Sequence, residues 1–159
     1  MAAAPFGQYR TEVRAEWIDY NGHLHDAGYA IVLSEANEAL LAHLGLSEAY
    51  RTGTGRAMYT VESHIRYLAE AARGDVIEAA SLLVSADAKR LRVHTVLCRD
   101  DGVPVATGEY LYLHVDQAAG GVTAMPPDRW AAVDALVSAH ASVDRPGHLG
   151  RGIADSQKP

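Results

Sequence analysis

Ten consecutive residues, Trp17-Ile18-Asp19-Tyr20-Asn21-Gly22-His23-Leu24-His25-Asp26, bring together two carboxylates, two imidazoles, an amide and two aromatic rings. Few connectors concentrate so many groups that move protons or accept hydrogen bonds. Taken alone, Asp19 before Tyr20-Asn21-Gly22 reads as a turn residue; the whole constellation points to chemistry. An amphipathic pattern follows at once, so the cluster sits just ahead of a helix. A carboxylate there can act on a carbonyl that unpaired N–H groups of the first helical turn, around Ala27 to Tyr29, polarise. Asp19 is the candidate base or nucleophile. His25 either orients water or caps the helix, and Gly28 either lets a ligand approach closely or is an ordinary glycine. His23 and His25 with Asp26 resemble part of a metal site, but further ligands at fixed spacing are missing, so no metal is expected.

The elements that must position these groups follow from periodicity. Tyr9 to Ile18 alternates as a first strand. Tyr29, Val32, Leu33, Ala36, Leu40 and Leu44 recur at helical spacing from Ala27 to Leu44, with Asp26 as N-cap and Gly45-Leu46 closing the end. Met58 to Leu68, Val76 to Ser85, Lys89 to Cys98 and Val103 to His114 read as strands, with Asp100-Asp101-Gly102 as a turn between the last two. Pro126-Pro127 introduces a second helix, about Asp128 to Ala141. This order predicts an α+β protein: a curved antiparallel sheet wrapped around one long helix, plus a C-terminal helix. The expected division is a flexible start over residues 1–8, a main domain over 9–116, a loop and helix over 117–141 and a mobile tail over 142–159.

Bulk properties bound the function. The 159 residues suit one domain, and 48% apolar with 21% charged residues describes a folded chain. A formal net charge of −6 argues against a broad nucleic-acid surface. It leaves room for a local basic site, and Lys89, Arg90 and Arg92 form the densest one. Cys98 is the single cysteine; it reads as a packed thiol in a reducing compartment. No signal-peptide pattern opens the chain and no run approaches the length of a membrane span, so a cytoplasmic, membrane-free protein is expected.

Several short motifs together resemble the hotdog-fold thioesterases of the 4-hydroxybenzoyl-CoA thioesterase type. They are Asp19-x-x-Gly22-His23 before the long helix, Tyr59 to Leu68 closed by Arg73-Gly74-Asp75, and Val105-Ala106-Thr107-Gly108. Within that family, Glu16 to His23, Tyr59-Thr60-Val61-Glu62 and Asp87-x-Lys89-Arg90-Leu91 look most like the betainyl-CoA thioesterase branch associated with carnitine breakdown. The resemblance implies a hotdog fold and hydrolysis of a short acyl-CoA thioester. Asp19 becomes the catalytic carboxylate, His23 a brace of its loop, and Lys89, Arg90 and Arg92 the site for the CoA phosphates. Many relatives have an Asn-Asn pair where this chain has His25-Asp26, so an amide's role does not transfer to position 25.

Coenzyme A enters as part of the substrate, and no other cofactor is expected. Tyr20, Asn21, His23, Gly28, Tyr29, Tyr59 and His64 are candidate substrate contacts, and Glu62 a candidate water holder or binder of a cationic acyl group. Trp17, Tyr20, Tyr29, Tyr59 and Tyr67 are candidates for an aromatic enclosure, with Tyr20 and Tyr29 preferred. A homodimer or homotetramer is expected, because so few strands leave exposed sheet edges. The competing reading is a hotdog module that binds acyl-CoA without cleaving it. A hydratase is disfavoured, since the His-centred helix motif of that activity is absent from the sequence.

Overall fold

The structure is a computed structural model and describes residues 4–153. Its strands are β1 (Phe6–Glu12), β2 (Arg56–Tyr67), β3 (Val76–Asp87), β4 (Arg90–Arg99), β5 (Pro104–Asp116) and the short β6 (Gly121–Val122). Its helices are α1 (Asp26–His43), α2 (Glu48–Thr54) and α3 (Pro127–His140). The main strands form one antiparallel sheet in the order β1-β3-β4-β5-β2, with β6 against β5. The sheet curls around α1, the arrangement the periodicity predicts.

The core lies between α1 and the concave sheet face. Val32, Leu33, Ala36 and Leu40 of α1 are essentially solvent-free, as are Ile77, Leu83, Leu91, Val93, Leu97 and Val105 of the sheet. Each large apolar side chain buried this way contributes about 1.5–3 kcal/mol, and these contacts fix where the first turn of α1 points. The far end of α1 closes as a Schellman motif. Leu46 N–H donates to Leu41 C=O (2.8 Å) and Gly45 N–H to Ala42 C=O (3.0 Å), with Gly45 at φ +70°.

Three expectations about elements need correction. The first strand begins at Phe6 and ends at Glu12, so residues 6–8 are ordered strand and not a flexible start. Phe6 is anchored in the core against the His43 ring, 5.0 Å away. The rest of the expected strand turns away as a 3-10 turn, Ala15–Trp17, which drives the Trp17 ring inward. The second correction is α2, which the sequence pattern conceals: it is only seven residues long and carries Gly53 and two threonines.

The third concerns the tail. Residues 142–152 pack across the outer sheet face as a strap. The Arg145 guanidinium donates to Val84 C=O (3.0 Å), the His148 ring meets the His94 ring (Nε2···Nε2 3.0 Å), and Gly150 N–H donates to Glu109 (2.9 Å). Residues 1–3 of the expected flexible start and 154–159 of the expected mobile tail lie outside the described residues. No helix among the described residues is long and apolar enough to cross a membrane.

The edge strand β2 has an unusual surface. Tyr59, Val61 and Tyr67 on it, and Leu68 just past its end, are each about half exposed (46–52%). An apolar edge this long is a template for pairing with another strand.

Candidate active site

The motif loop is held by its own carboxylate. Asp19 Oδ1 accepts the backbone N–H groups of Asn21 (2.8 Å) and His23 (3.3 Å), while Asp19 N–H donates to His23 C=O (2.9 Å). Partial burial pushes the Asp19 carboxyl up. The backbone N–H groups of Asn21 and His23, with the Asn21 side-chain amide, outweigh that and hold it below the usual carboxylate range. Asp19 is therefore an anion at neutral pH. Oδ2 receives only a long contact from Asn21 Nδ2 (3.4 Å), which leaves it free to accept a further proton or hydrogen bond.

The loop is tied in turn to the segment after β2. Leu24 N–H donates to Ala71 C=O (2.7 Å), His23 bridges to Ala72, and His23 Nε2 lies 3.3 Å from Glu70 Oε2. This pairing encloses a cleft of about 730 Å3 lined by residues of the loop, of the first turn of α1 and of the end of β2. Asp19, Asp26 and Glu70 supply three carboxylates, and Asn21 and His23 the remaining polar groups. Tyr29 and Tyr67 form an aromatic wall, their rings edge-to-face with centroids 5.6 Å apart. The Tyr29 hydroxyl donates to Ala69 C=O (3.0 Å), which fixes that ring. Burial raises the Tyr67 hydroxyl above its usual range, and the nearby Asp26 carboxylate adds to this.

Of the expected site residues, Asp19, Asn21, His23 and Tyr29 meet in this cleft. His25 does not line it. Its Nδ1 accepts Gly28 N–H (2.8 Å), so His25 is the N-cap of α1, and Asp26 is the first helical residue instead of the cap. Asp26 Oδ1 in turn accepts Ala27 N–H (2.8 Å). The helix tip is therefore less open than expected, because the N–H groups of Ala27 and Gly28 already have acceptors. Gly28 also differs from expectation, since it is buried. A Cβ there would lie 2.3 Å from Leu24 Cδ1 and 3.5 Å from Trp17 Cβ, so its missing side chain admits the loop and not a ligand.

The remaining candidates lie elsewhere. Tyr20 is fully solvent-exposed at 99% and outside the cleft. Tyr59 pairs with Leu113 near the opposite end of β2 from Tyr67 and accepts a hydrogen bond from Gln117. Glu62 and His64 do share a face, but they line a separate cavity of about 500 Å3 on the outer side, with Arg92, Glu109 and the strap.

The basic cluster is largely neutralised. Arg90 Nε is 2.8 Å from Asp87 and Arg92 Nε 2.7 Å from Glu109; Lys89 is exposed at the β3–β4 turn. Among the described residues no group of three or more His, Cys, Asp or Glu is placed to hold a metal.

The cleft gains Tyr67, Leu68, Ala69 and Glu70, of which sequence reasoning named only Tyr67, as one of five aromatic candidates. Glu70 follows the end of a strand and faces the motif loop from nearly fifty residues away. No local spacing signals that contact.

Comparison with known proteins gives the family and the fold. The profile of the thioesterase-like superfamily matches residues 13–136. The chain is 43% identical over 149 residues, 94% of its length, to an L-carnitine dehydrogenase/betainyl-CoA thioesterase of Agrobacterium fabrum, and it spans only 30% of that relative. It is 38% identical over 146 residues to a betainyl-CoA thioesterase of Pseudomonas aeruginosa, covering 91% of this chain and 92% of that one. A hypothetical protein from Staphylococcus aureus, solved in complex with CoA, superposes with a TM-score of 0.89 at 29% identity over 98% of both chains. The chain belongs to the thioesterase-like superfamily, and its sheet curled around α1 is the hotdog fold.

Proposed function

We propose that this protein hydrolyses a short acyl-CoA thioester, with betainyl-CoA as the substrate that best fits, and that the helix-tip cleft is where it does so. The observation that carries this reading is the ionised Asp19 carboxylate, with one oxygen engaged by the loop and the other open, in a cleft roomy enough for an acyl group and part of a pantetheine arm. As a general base, Asp19 takes a proton from water while the water oxygen bonds to the thioester carbon. The C–S bond then breaks, the acid is formed, and the thiolate of CoA leaves and is protonated. As a nucleophile, an Asp19 oxygen bonds to the thioester carbon, the C–S bond breaks, and the CoA thiolate leaves and is protonated. Water then opens the mixed anhydride to the acid and free Asp19. Both routes develop negative charge on the carbonyl oxygen.

With Ala27 and Gly28 N–H engaged, the donors left to meet that charge are the Asp26 N–H and the Asn21 amide, assisted by the dipole of α1. His25 acts through the helix, as its cap. His23, braced by Glu70, holds the loop. Within the basic cluster, Lys89 is the exposed cation for a CoA phosphate, while Arg90 and Arg92 would first have to leave their carboxylate partners. The half-exposed Tyr59 and Val61 of the β2 edge, away from the cleft, are the surface on which a second copy pairs.

A hotdog module that only holds acyl-CoA is the competing reading. An uncompensated anion beside the carbonyl gives such a binder no advantage, whereas it lowers the barrier to hydrolysis. The test is CoA release from a panel of thioesters, read with a thiol-reactive dye. Hydrolysis is expected, with short acyl groups preferred. Tight CoA binding without release of thiol would establish the binding module instead.

A further inference from the structure

We propose that Tyr67, backed by Asp26 and Glu70, is the specificity-determining wall that selects an acyl group bearing a fixed positive charge; this rests on the hydrolase reading of the same cleft. Three features of the structure converge. First, Tyr29 and Tyr67 stand edge-to-face, and they are exposed very differently. Tyr29 is 4% exposed, while Tyr67 is 52% exposed and lines the cleft, so Tyr67 keeps ring surface free for a ligand. Second, among the described residues the cleft lining contains no lysine or arginine, and His23 is its single basic side chain. Third, its carboxylates flank the aromatic pair: Asp26 lies close enough to the Tyr67 hydroxyl to disfavour its ionisation, and Glu70 follows three residues after Tyr67.

A quaternary ammonium group has no N–H to donate, so hydrogen-bond acceptors alone recognise it poorly. Its charge is spread over methyl groups, which a tyrosine face contacts directly and carboxylates attract through space. Tyr67 and its flanking acids offer both. A primary ammonium or guanidinium prefers short bonds to fixed acceptors, whereas Glu70 is shared with His23 and Asp26 with the Ala27 N–H. The preferred cation is thus a bulky, methylated one. The wall also corrects the expected enclosure, since Tyr20 and Tyr59 take no part in it.

The test compares kcat/KM for betainyl-CoA with that for 3,3-dimethylbutyryl-CoA, in which carbon replaces the quaternary nitrogen and shape is kept. The wild-type protein is expected to favour the cation by at least tenfold. That ratio should fall about tenfold in Tyr67→Leu, stay within twofold of wild type in Tyr67→Phe, and fall about fivefold in Asp26→Asn/Glu70→Gln. A wild-type ratio near one, or a ratio unmoved by Tyr67→Leu, overturns the wall while leaving the hydrolase standing. Release of thiol from neither compound, nor from any other CoA thioester, overturns both. Circular-dichroism melting of each variant separates a lost wall from a lost fold; the exposed position of all three side chains predicts unchanged melting.

Discussion

The two sides of the sheet carry similar numbers of titratable groups and put them to opposite uses. The helix-tip cleft holds Asp19, Asp26, Glu70 and His23; the outer face under the strap holds Glu109, Arg92, His94, His148 and His64. On the outer face the groups satisfy one another. Glu109 takes both the Arg92 guanidinium and Gly150 N–H, and the two imidazoles His94 and His148 share a hydrogen bond. In the cleft three carboxylates border open space with no guanidinium or ammonium in the lining among the described residues; Arg99 lies behind it, on the Glu70 carbonyl. A closed network fastens one segment to another, whereas unbalanced charge around a void is poised for a ligand. The density of titratable groups is similar in both places and does not distinguish them. Whether acidic groups are matched by basic ones does.

Substitutions on the two faces should therefore separate cleanly. The largest effect falls on the cleft: Asp19→Asn, which keeps an oxygen to accept the Asn21 and His23 N–H groups, should lower kcat/KM for CoA release at least a hundredfold with little change in melting temperature. Retained turnover would remove Asp19 from the chemistry.

The outer face should show its effect in stability against pH. Burial, and then the neighbouring His148, hold the His94 imidazole down at about 4, below its ordinary 6.5. The unfolded chain binds that proton below pH 6.5 and the native protein does not. Stability is therefore full above about 6.5 and is lost as pH falls toward 4, by as much as roughly 3 kcal/mol. Urea unfolding from pH 7 to 4 should show this slope, and His94→Phe should flatten it. An equal slope in the variant would assign the acid sensitivity elsewhere.

A smaller loss, about 1 kcal/mol, is expected for His148→Ala from the broken hydrogen bond, with kcat unchanged. His25→Ala should cost about the same through the lost cap. The smallest effect belongs to Arg90→Ala. An exposed cation already paired with Asp87 should alter KM for acyl-CoA by no more than about threefold.

The sequence pattern was clearest where interactions are local. The α1 stripe, the alternation of β3, β4 and β5 and the Gly45 helix end are all set by periodicity or by a nearby backbone requirement, and all stand close to where the pattern puts them. Contacts between distant segments left no such mark. Asp19 is legible because its neighbours in the chain are its neighbours in space. Glu70 is not, since it reaches the loop only once β2 has folded back. Gly28 was read for what its missing side chain lets in, and the answer, Leu24, became visible only with the loop in place. The tail lacks periodicity and so resembled a mobile segment. Single side chains, Arg145 and His148, pin it to the sheet instead.

The most direct measurement is a crystal structure with a ketone analogue of betainyl-CoA, in which a methylene replaces the sulfur and the carbonyl is kept. The carbonyl carbon is expected within about 3–4 Å of an Asp19 carboxylate oxygen, a distance from which attack can proceed, with the trimethylammonium group against the Tyr67 ring. An acyl group lodged under the strap beside Glu62 and His64, or a carbonyl out of reach of Asp19, would contradict it.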